Sequence, residues 1–445
     1  MSAKAYGEEA RRIPVAAECD VLVAGGGSAG IAAAVAASRA GAETILVERY
    51  GSLGGMATGG LVILLLSLDD GCGRQTVGGL CQELVDRLTA RSAALHPPAE
   101  QWGNPDPELV EHYRRYGLVW GRGPHAVRYS VAYDPEEFRF AANGLLAEAG
   151  VRLRLHTWIA RPIVADGAVQ GVITESKAGR EAFLAKVVVD ATGDGDLFAA
   201  AGEPFGLEQV HPWLWFRMGN VRGADDAILG TEGRFFKALG GRFFKTLGAG
   251  RTLMPWGIAD VVDRKIDPTS PDDLTWAELE CRRRVMAVVD ELKGVKGFED
   301  AYLEDLAWQL GIYESRRLEG RYVLGRRDEG VSFDDAVAFT GDWVRYGVTY
   351  EIPYRCLLPQ RTEQLLVAGR CLSADHRVHQ ATKEIPPCFA TGEAAGIAAA
   401  LSAATGIATP SLDVGEIRAQ LLKAGAILGP NDDSPSSDGG GSDAG

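Results

Sequence analysis

No part of this chain stays apolar for long. The longest unbroken run of large apolar residues is LVILLL at Leu61–Leu66, far short of the roughly 20 residues a bilayer helix takes. No membrane span is expected. The first twenty residues (MSAKAYGEEARRIPVAAECD) carry charges but no apolar stretch of the secretory kind. Positive charge is also in short supply. Against 46 Lys and Arg stand 60 Asp and Glu, for a net charge of −14. That excludes the basic face a nucleic-acid partner needs and the basic amphipathic stretch that would hold an anionic membrane. The seven cysteines are Cys19, Cys72, Cys81, Cys281, Cys356, Cys371 and Cys388. They are odd in number, scattered, and free of CxxC or zinc-spaced histidines, so neither a disulfide framework nor a metal site is expected. Free thiols in a reducing cytoplasm fit this pattern. The last stretch, 430–445, is Ser, Gly and Asp with nothing to bury, and it reads as disordered.

Glycine, by contrast, is abundant at 56 residues, and its placement is informative. Asp20–Ala24 (DVLVA) reads as a strand, GGGSAG follows at Gly25–Gly30, and an Ala-rich helix, Ile31–Ala40, stops at Gly41. A second strand, Thr44–Val47, ends on Glu48. This is a complete βαβ opening. Within Gly25-x-Gly27-x-x-Gly30 the first glycine allows the tight turn. The second lets backbone approach a pyrophosphate, and the third lets helix and sheet pack closely. Pyrophosphate then sits on the helix N-terminus, at Ser28 and Ala29, and Glu48 accepts a ribose hydroxyl. This piece alone does not separate NAD from FAD.

Further along, Asp134–Ala149 reads as a helix. Val151–Leu155, Ile159–Val164 and Ala168–Glu175 read as strands, with a turn at Asp166–Gly167, and Phe183–Asp190 as a strand running into ATGDGD. Residues 206–345 are Trp-rich, with helical patches at Trp276–Leu292 and Tyr302–Trp308. Gln364–Ala368 reads as a buried strand, with helices at Pro387–Leu401 and Leu412–Gly425. GRFFKALG (Gly233–Gly240) is followed at once by GRFFKTLG (Gly241–Gly248), a period too short for a solenoid. It reads as a duplication in a surface segment, or else as a Phe-rich lid.

Six ordered segments resemble one family. RYGSLGGMATGG (Arg49–Gly60), VVVDATGDGDLFAAAGEPF (Val187–Phe205) and GIYESRRLEGRYVL (Gly311–Leu324) are followed by EIPYRCLLP (Glu351–Pro359), LLVAGRCLSADH (Leu365–His376) and IPPCFATGEAAGIAAA (Ile385–Ala400). Together they resemble the FAD-dependent oxidoreductases of the glutathione-reductase structural class, distantly similar to fumarate reductase flavoproteins. The resemblance implies an α/β fold. A discontinuous Rossmann-like FAD-binding domain is expected over 17–65, 126–205 and 346–425, with an inserted mixed α+β substrate domain over 66–125 and 206–345. It also implies FAD contacts at Arg49, Gly54, Gly55, Met56, Ile159, Thr192, Gly193, Asp194, Gly369, Arg370, Pro387 and Gly392.

The chain departs from the family pattern at Lys383-Glu384 and at Tyr313, where arginine is expected. With no His in 50–60, FAD is expected to be held non-covalently. No second GxGxxG follows a strand, so no separate NAD(P)H domain is expected, and electrons leave to oxygen, a quinone-like compound or a protein. The expected function is hydride transfer between a small polar metabolite and flavin. The alternatives are an electron-transfer subunit and a tRNA-modifying or non-redox flavoprotein. Proton-handling candidates are His376 and His379, which flank Arg377 after a strand-end turn, and then Tyr354 and Arg355. Arg316 and Arg317 could anchor a carboxylate or the flavin, or pair with Glu314 or Glu319 on a helix. The remaining histidines, His96, His112, His125, His156 and His211, show no paired spacing and read as structural.

Overall fold

The structure is a computed structural model describing residues 8, 10–222, 243–255 and 264–431. Its centre is a seven-stranded sheet. Strand β1 (Val15–Ala24) leads into helix α1 (Ser28–Arg39), and the chain returns as β2 (Thr44–Val47). On one side of β1 lie β2 and then Arg152–Arg154, all parallel. On the other side lies Gly179–Asp190, also parallel. That strand changes partner along its length. Its first half pairs antiparallel with Ala168–Ser176, and its last residues, Val188–Asp190, pair parallel with Leu365–Val367. Val21, Leu22 and Val23 of β1 are fully buried, as expected of a parallel strand covered on both faces.

The helix Ile385–Thr405 is buried on almost every side from Ile385 to Ala403, which is why its sequence is Ala- and Gly-rich throughout rather than amphipathic. It crosses α1 with bare backbone. A Cβ on Gly392 would lie 2.2 Å from the Ala29 carbonyl oxygen, and one on Gly396 2.2 Å from that of Ala33. The small residues of α1 and of this helix are therefore one packing device, in which two helices touch at their backbones.

Two sequence expectations need correction in the second region. Tyr302–Leu306 is a strand, not a helical patch. It pairs antiparallel with Phe216–Gly219 in a four-stranded sheet with Thr252–Met254 and Phe244–Lys245, and the Arg217–Asp305 ion pair at 2.6 Å spans the two strands. Cross-strand pairing outweighs local helical preference here. In the second copy of the short repeat, Phe243 and Phe244 are buried, not on the surface. Phe243 packs edge-on to Phe298 and Phe244 edge-on to Trp120. The first copy, and the tail from residue 432, lie outside the described residues. The helix Pro271–Leu292 begins five residues ahead of the expected Trp276, because Ser270 caps it by accepting from the Asp273 N–H.

Candidate cofactor site

The sheet's strands end at a cleft. Its walls have four parts. The first is the glycine loop. Gly25 has φ +98°, and a Cβ there would strike the Ala191 carbonyl oxygen at 2.6 Å. Gly30 packs still closer, its virtual Cβ only 1.8 Å from the Gly25 oxygen. At Gly27 a Cβ would meet nothing within 4 Å, because that position faces the open cleft. The Ser28 and Ala29 amides, in the first turn of α1, have no intrahelical acceptor, and both residues line the cleft.

The second piece is 48–56. Glu48 is buried. Its carboxylate accepts from the Gly26 N–H at 2.6 Å and the Tyr50 N–H at 2.8 Å, tying the end of β2 to the glycine loop. Gly54 (φ +105°) donates its N–H to the Gly26 oxygen at 2.8 Å, and a Cβ on Gly55 would sit 3.2 Å from the Gly27 Cα. The two glycine turns are thus stacked, and no side chain stands between them and the cleft. Met56 continues this wall.

The third piece comprises Thr157–Ile159 and 191–196. Asp190, fully buried, accepts from the Thr192 N–H and hydroxyl and from the Leu197 and Phe198 N–H groups, which fixes the ATGDGD turn. Ile159, Thr192 and Gly193 line the cleft, as does Asp196. Asp194 is not among the lining residues. It anchors the site's two arginines, accepting from Arg370 at 2.7 Å and Arg49 at 3.4 Å. The Asp196 carboxyl is pushed up to about 6, first by burial and then by the neighbouring Asp194 and Asp190. Arg316 holds it at 3.1 Å.

The fourth piece is 368–388. Gly369 (φ +81°) abuts Ala29, with a virtual Cβ 2.7 Å from that methyl. Arg370 lines the cleft while its guanidinium donates to the Gly193 carbonyl at 3.0 Å and to the Ile312 carbonyl. Lys383, Ile385 and Cys388 complete this wall, and Gln309 reaches it from the second region. Burial pushes the Cys388 thiol up to about 12, so it stays protonated and is no nucleophile at neutral pH. Pro387 lies buried at the opening of the Ile385–Thr405 helix, and Gly392 lies beneath α1. Neither lines the cleft.

The sequence's catalytic candidates stand behind this wall. None of His376, His379, Tyr354 or Arg317 lines the cleft. Tyr354 is buried, and its hydroxyl donates to the Thr409 carbonyl at 2.9 Å. Arg316 and Arg317 lie on a strand, Arg316–Leu318 paired with Phe205–Leu207, not on a helix. Glu314, with no exposed surface, gathers the others. Arg317 donates to it at 2.6 Å, His376 Nδ1 lies 2.9 Å away, and His379 Nδ1 lies 3.8 Å away. His379 Nε2 bonds the Arg370 carbonyl at 2.9 Å. Burial, then Lys383, holds this imidazole well below its ordinary range, so it is neutral and donates from Nε2.

The glycine turns, the acid closing β2, and the open face at Gly27 together fit a flavin dinucleotide. In a comparison with known families, the FAD dependent oxidoreductase family matches residues 20–421. The chain belongs to that family. This FAD-dependent oxidoreductase matches no curated protein. Solved structures similar to it include a geranylgeranyl bacteriochlorophyll reductase-like protein from Thermoplasma acidophilum. That protein is 14% identical, with 92% of this chain and 84% of that chain covered and a TM-score of 0.49. Another is p-nitrophenol 4-monooxygenase from Pseudomonas putida, 13% identical, with 91% and 84% covered and a TM-score of 0.48. No described helix of the oxidoreductase is long and apolar enough to cross a membrane.

Tyr50, Thr157, Trp158, Asp196, Gln309 and Lys383 belong to the cleft wall without having been named from sequence as cofactor contacts. The ATGDGD motif could have pointed to Asp196, and the departure at Lys383-Glu384 to Lys383. No local signal marks Gln309 or Trp158.

Proposed function

We propose that this oxidoreductase binds FAD non-covalently and catalyses hydride exchange between the cofactor and a small polar metabolite. When bound, FAD supplies the two-electron redox chemistry. One observation carries the reading. Two stacked glycine turns and the strand-end turn Gly369–Arg370 line a single cleft, and its floor at Gly27 is open to a ligand. The chain's own part is to bind, orient and exclude water. Ser28 and Ala29 present amides to pyrophosphate, and Glu48 presents carboxylate oxygen to ribose. Lys383 and Gln309 are placed to orient the reacting end. The segments 66–125 and 206–345 act as the covering domain. Gln309 reaches the cleft from there, and Trp308 packs edge-on to Tyr50.

Because His376, His379 and Arg317 touch Glu314 or Arg370 rather than the cleft, we assign them positioning roles. They hold the Arg370 turn at its correct height. The seven free cysteines, six of them buried, suit a reducing cytoplasm.

The test begins with colour. The purified protein should be yellow, and acid precipitation should release all flavin as FAD. An anaerobic scan of small polar metabolites should then find one that bleaches it. Colour retained in the pellet would refute non-covalent binding. Failure to take up FAD on reconstitution would refute the reading as a whole.

A further inference from the structure

A second concavity shares no lining residue with the cofactor cleft. It is a groove of about 540 Å³, open to solvent, between the segments 323–327 and 375–377. Its floor is stitched. Leu324 bridges Ala374 in parallel, the Asp375 N–H donates to the Leu324 carbonyl at 2.8 Å, and the Leu324 N–H donates to the Ser373 carbonyl at 3.2 Å. Gly325 brings the walls together, since a Cβ there would lie 3.2 Å from Asp375 Oδ2.

The charges on these walls are one-sided. Arg326, Arg327 and Arg377 line the groove, with Asp375 as its one acid. Asp375 Oδ1 is already committed to the N–H groups of Arg377 and Val378, each at 2.8 Å. The Arg326 and Arg377 guanidinium groups are exposed and make no hydrogen bond or ion pair among the described residues. Arg327 has a loose contact with Asp328 at 3.6 Å and lies over the Tyr322 ring. His376 also lines the groove. Its Nδ1 is held by Glu314, and its Nε2 has no partner among the described residues. Three guanidinium groups gathered in one concavity repel one another, and on a chain of net charge −14 the gathering is not a by-product of a basic surface. Guanidinium forks match phosphoryl oxygens in pairs. A phosphate dianion offset by two or three forks relieves the repulsion more fully than a single carboxylate does.

We propose that this groove binds a phosphoryl-bearing small molecule through Arg326, Arg327 and Arg377, with His376 alongside. The site is separate from the dinucleotide cleft and does not depend on the substrate reading above.

The test uses FAD-loaded protein, so that phosphate cannot enter the dinucleotide cleft. Calorimetric titration with inorganic pyrophosphate, and separately with ADP, at low salt should give saturable binding with Kd below about 1 mM. Affinity should fall as salt rises. The R326S/R377S double variant should bind at least tenfold more weakly while keeping its FAD content and melting temperature. The charge-keeping R326K/R377K pair should recover part of the loss. ADP binding tighter than pyrophosphate would identify a nucleotide, and equal affinity a bare phosphoryl group; either supports the site. Absence of saturable heat with both ligands, or unchanged affinity in R326S/R377S, would overturn it. Binding of polyglutamate in preference to both would also overturn it, and would assign the surface to an acidic protein.

Discussion

Two glycines three residues apart should respond in opposite ways to the same substitution. At Gly27 the backbone has φ −73° and ψ −174°, which alanine adopts without strain, and a Cβ there meets no protein atom within 4 Å. Gly27→Ala should therefore leave the apoprotein as stable as before, or raise stability by about 0.4–1 kcal/mol through the unfolded chain. The added methyl points into the cleft, where pyrophosphate must approach the α1 amides. Losing one charge-assisted hydrogen bond there costs about 1.5–3 kcal/mol, or roughly ten- to a hundredfold in Kd for FAD. At Gly30 the virtual Cβ lies 1.8 Å from the Gly25 carbonyl oxygen. The obstacle is backbone, so no flexible side chain can yield. Gly30→Ala should destabilise the apoprotein by at least about 1–3 kcal/mol, the usual cost of overpacking. Urea unfolding of both apoproteins, paired with FAD titration followed by flavin fluorescence, separates the two effects. If Gly27→Ala bound FAD like the parent, the cofactor would not pass over that residue. If Gly30→Ala unfolded like the parent, the close approach of helix and strand would be mistaken.

Glu48→Ala leaves the Gly26 and Tyr50 N–H groups without their acceptor and should weaken FAD binding roughly tenfold to a hundredfold. Glu48→Gln, which keeps one acceptor oxygen, should fall between; equilibrium dialysis decides. Asp196 titrates near 6 in the folded protein against an ordinary 3.8. The unfolded chain therefore ionises first, and the stability this group contributes is greatest below 3.8 and is lost as pH rises to about 6. Above that, its charge opposes the pyrophosphate. FAD should bind more tightly at pH 5 than at pH 7.5, and Asp196→Asn should flatten the profile; an unchanged profile would refute the assignment. Neither NADH nor NADPH should reduce the flavin rapidly, and saturable bleaching in stopped-flow by either would reveal a nicotinamide site.

The parts of this site that are legible in sequence are those with local causes. Gly25–Gly30 and Glu48 could be read because a strand, a turn and a helix must follow one another at fixed spacing, and the structure puts β2 at Thr44–Val47 as the spacing requires. The Pro135–Ala149 helix, with Asp134 capping it and Gly150 ending it, was equally local. What escaped depends on long-range partners. Tyr302–Leu306 becomes a strand only because Phe216–Gly219 lies beside it. Gly392 looked like a cofactor contact, yet its lack of a side chain is required by Ala29. His379 follows the right turn, but its ring faces Glu314 and the Arg370 carbonyl. Direction, unlike position, is not written in one dimension.

The crossing of two helices at bare backbone also bears on the order of assembly. The cleft's fourth wall, 368–388, and the Ile385–Thr405 helix that docks on α1 leave the ribosome more than 330 residues after the glycine loop they complete. Contacts that span most of the chain form slowly, since a long loop must close before they gain anything. A nascent chain that has emerged only through residue 360 has its β1–α1–β2 unit but no Gly369–Arg370 turn and no cover for the Ala-rich face of α1. That apolar face stays open to chaperones or to misassociation until the Ile385–Thr405 helix arrives, so cofactor capture is a late event in the life of each molecule.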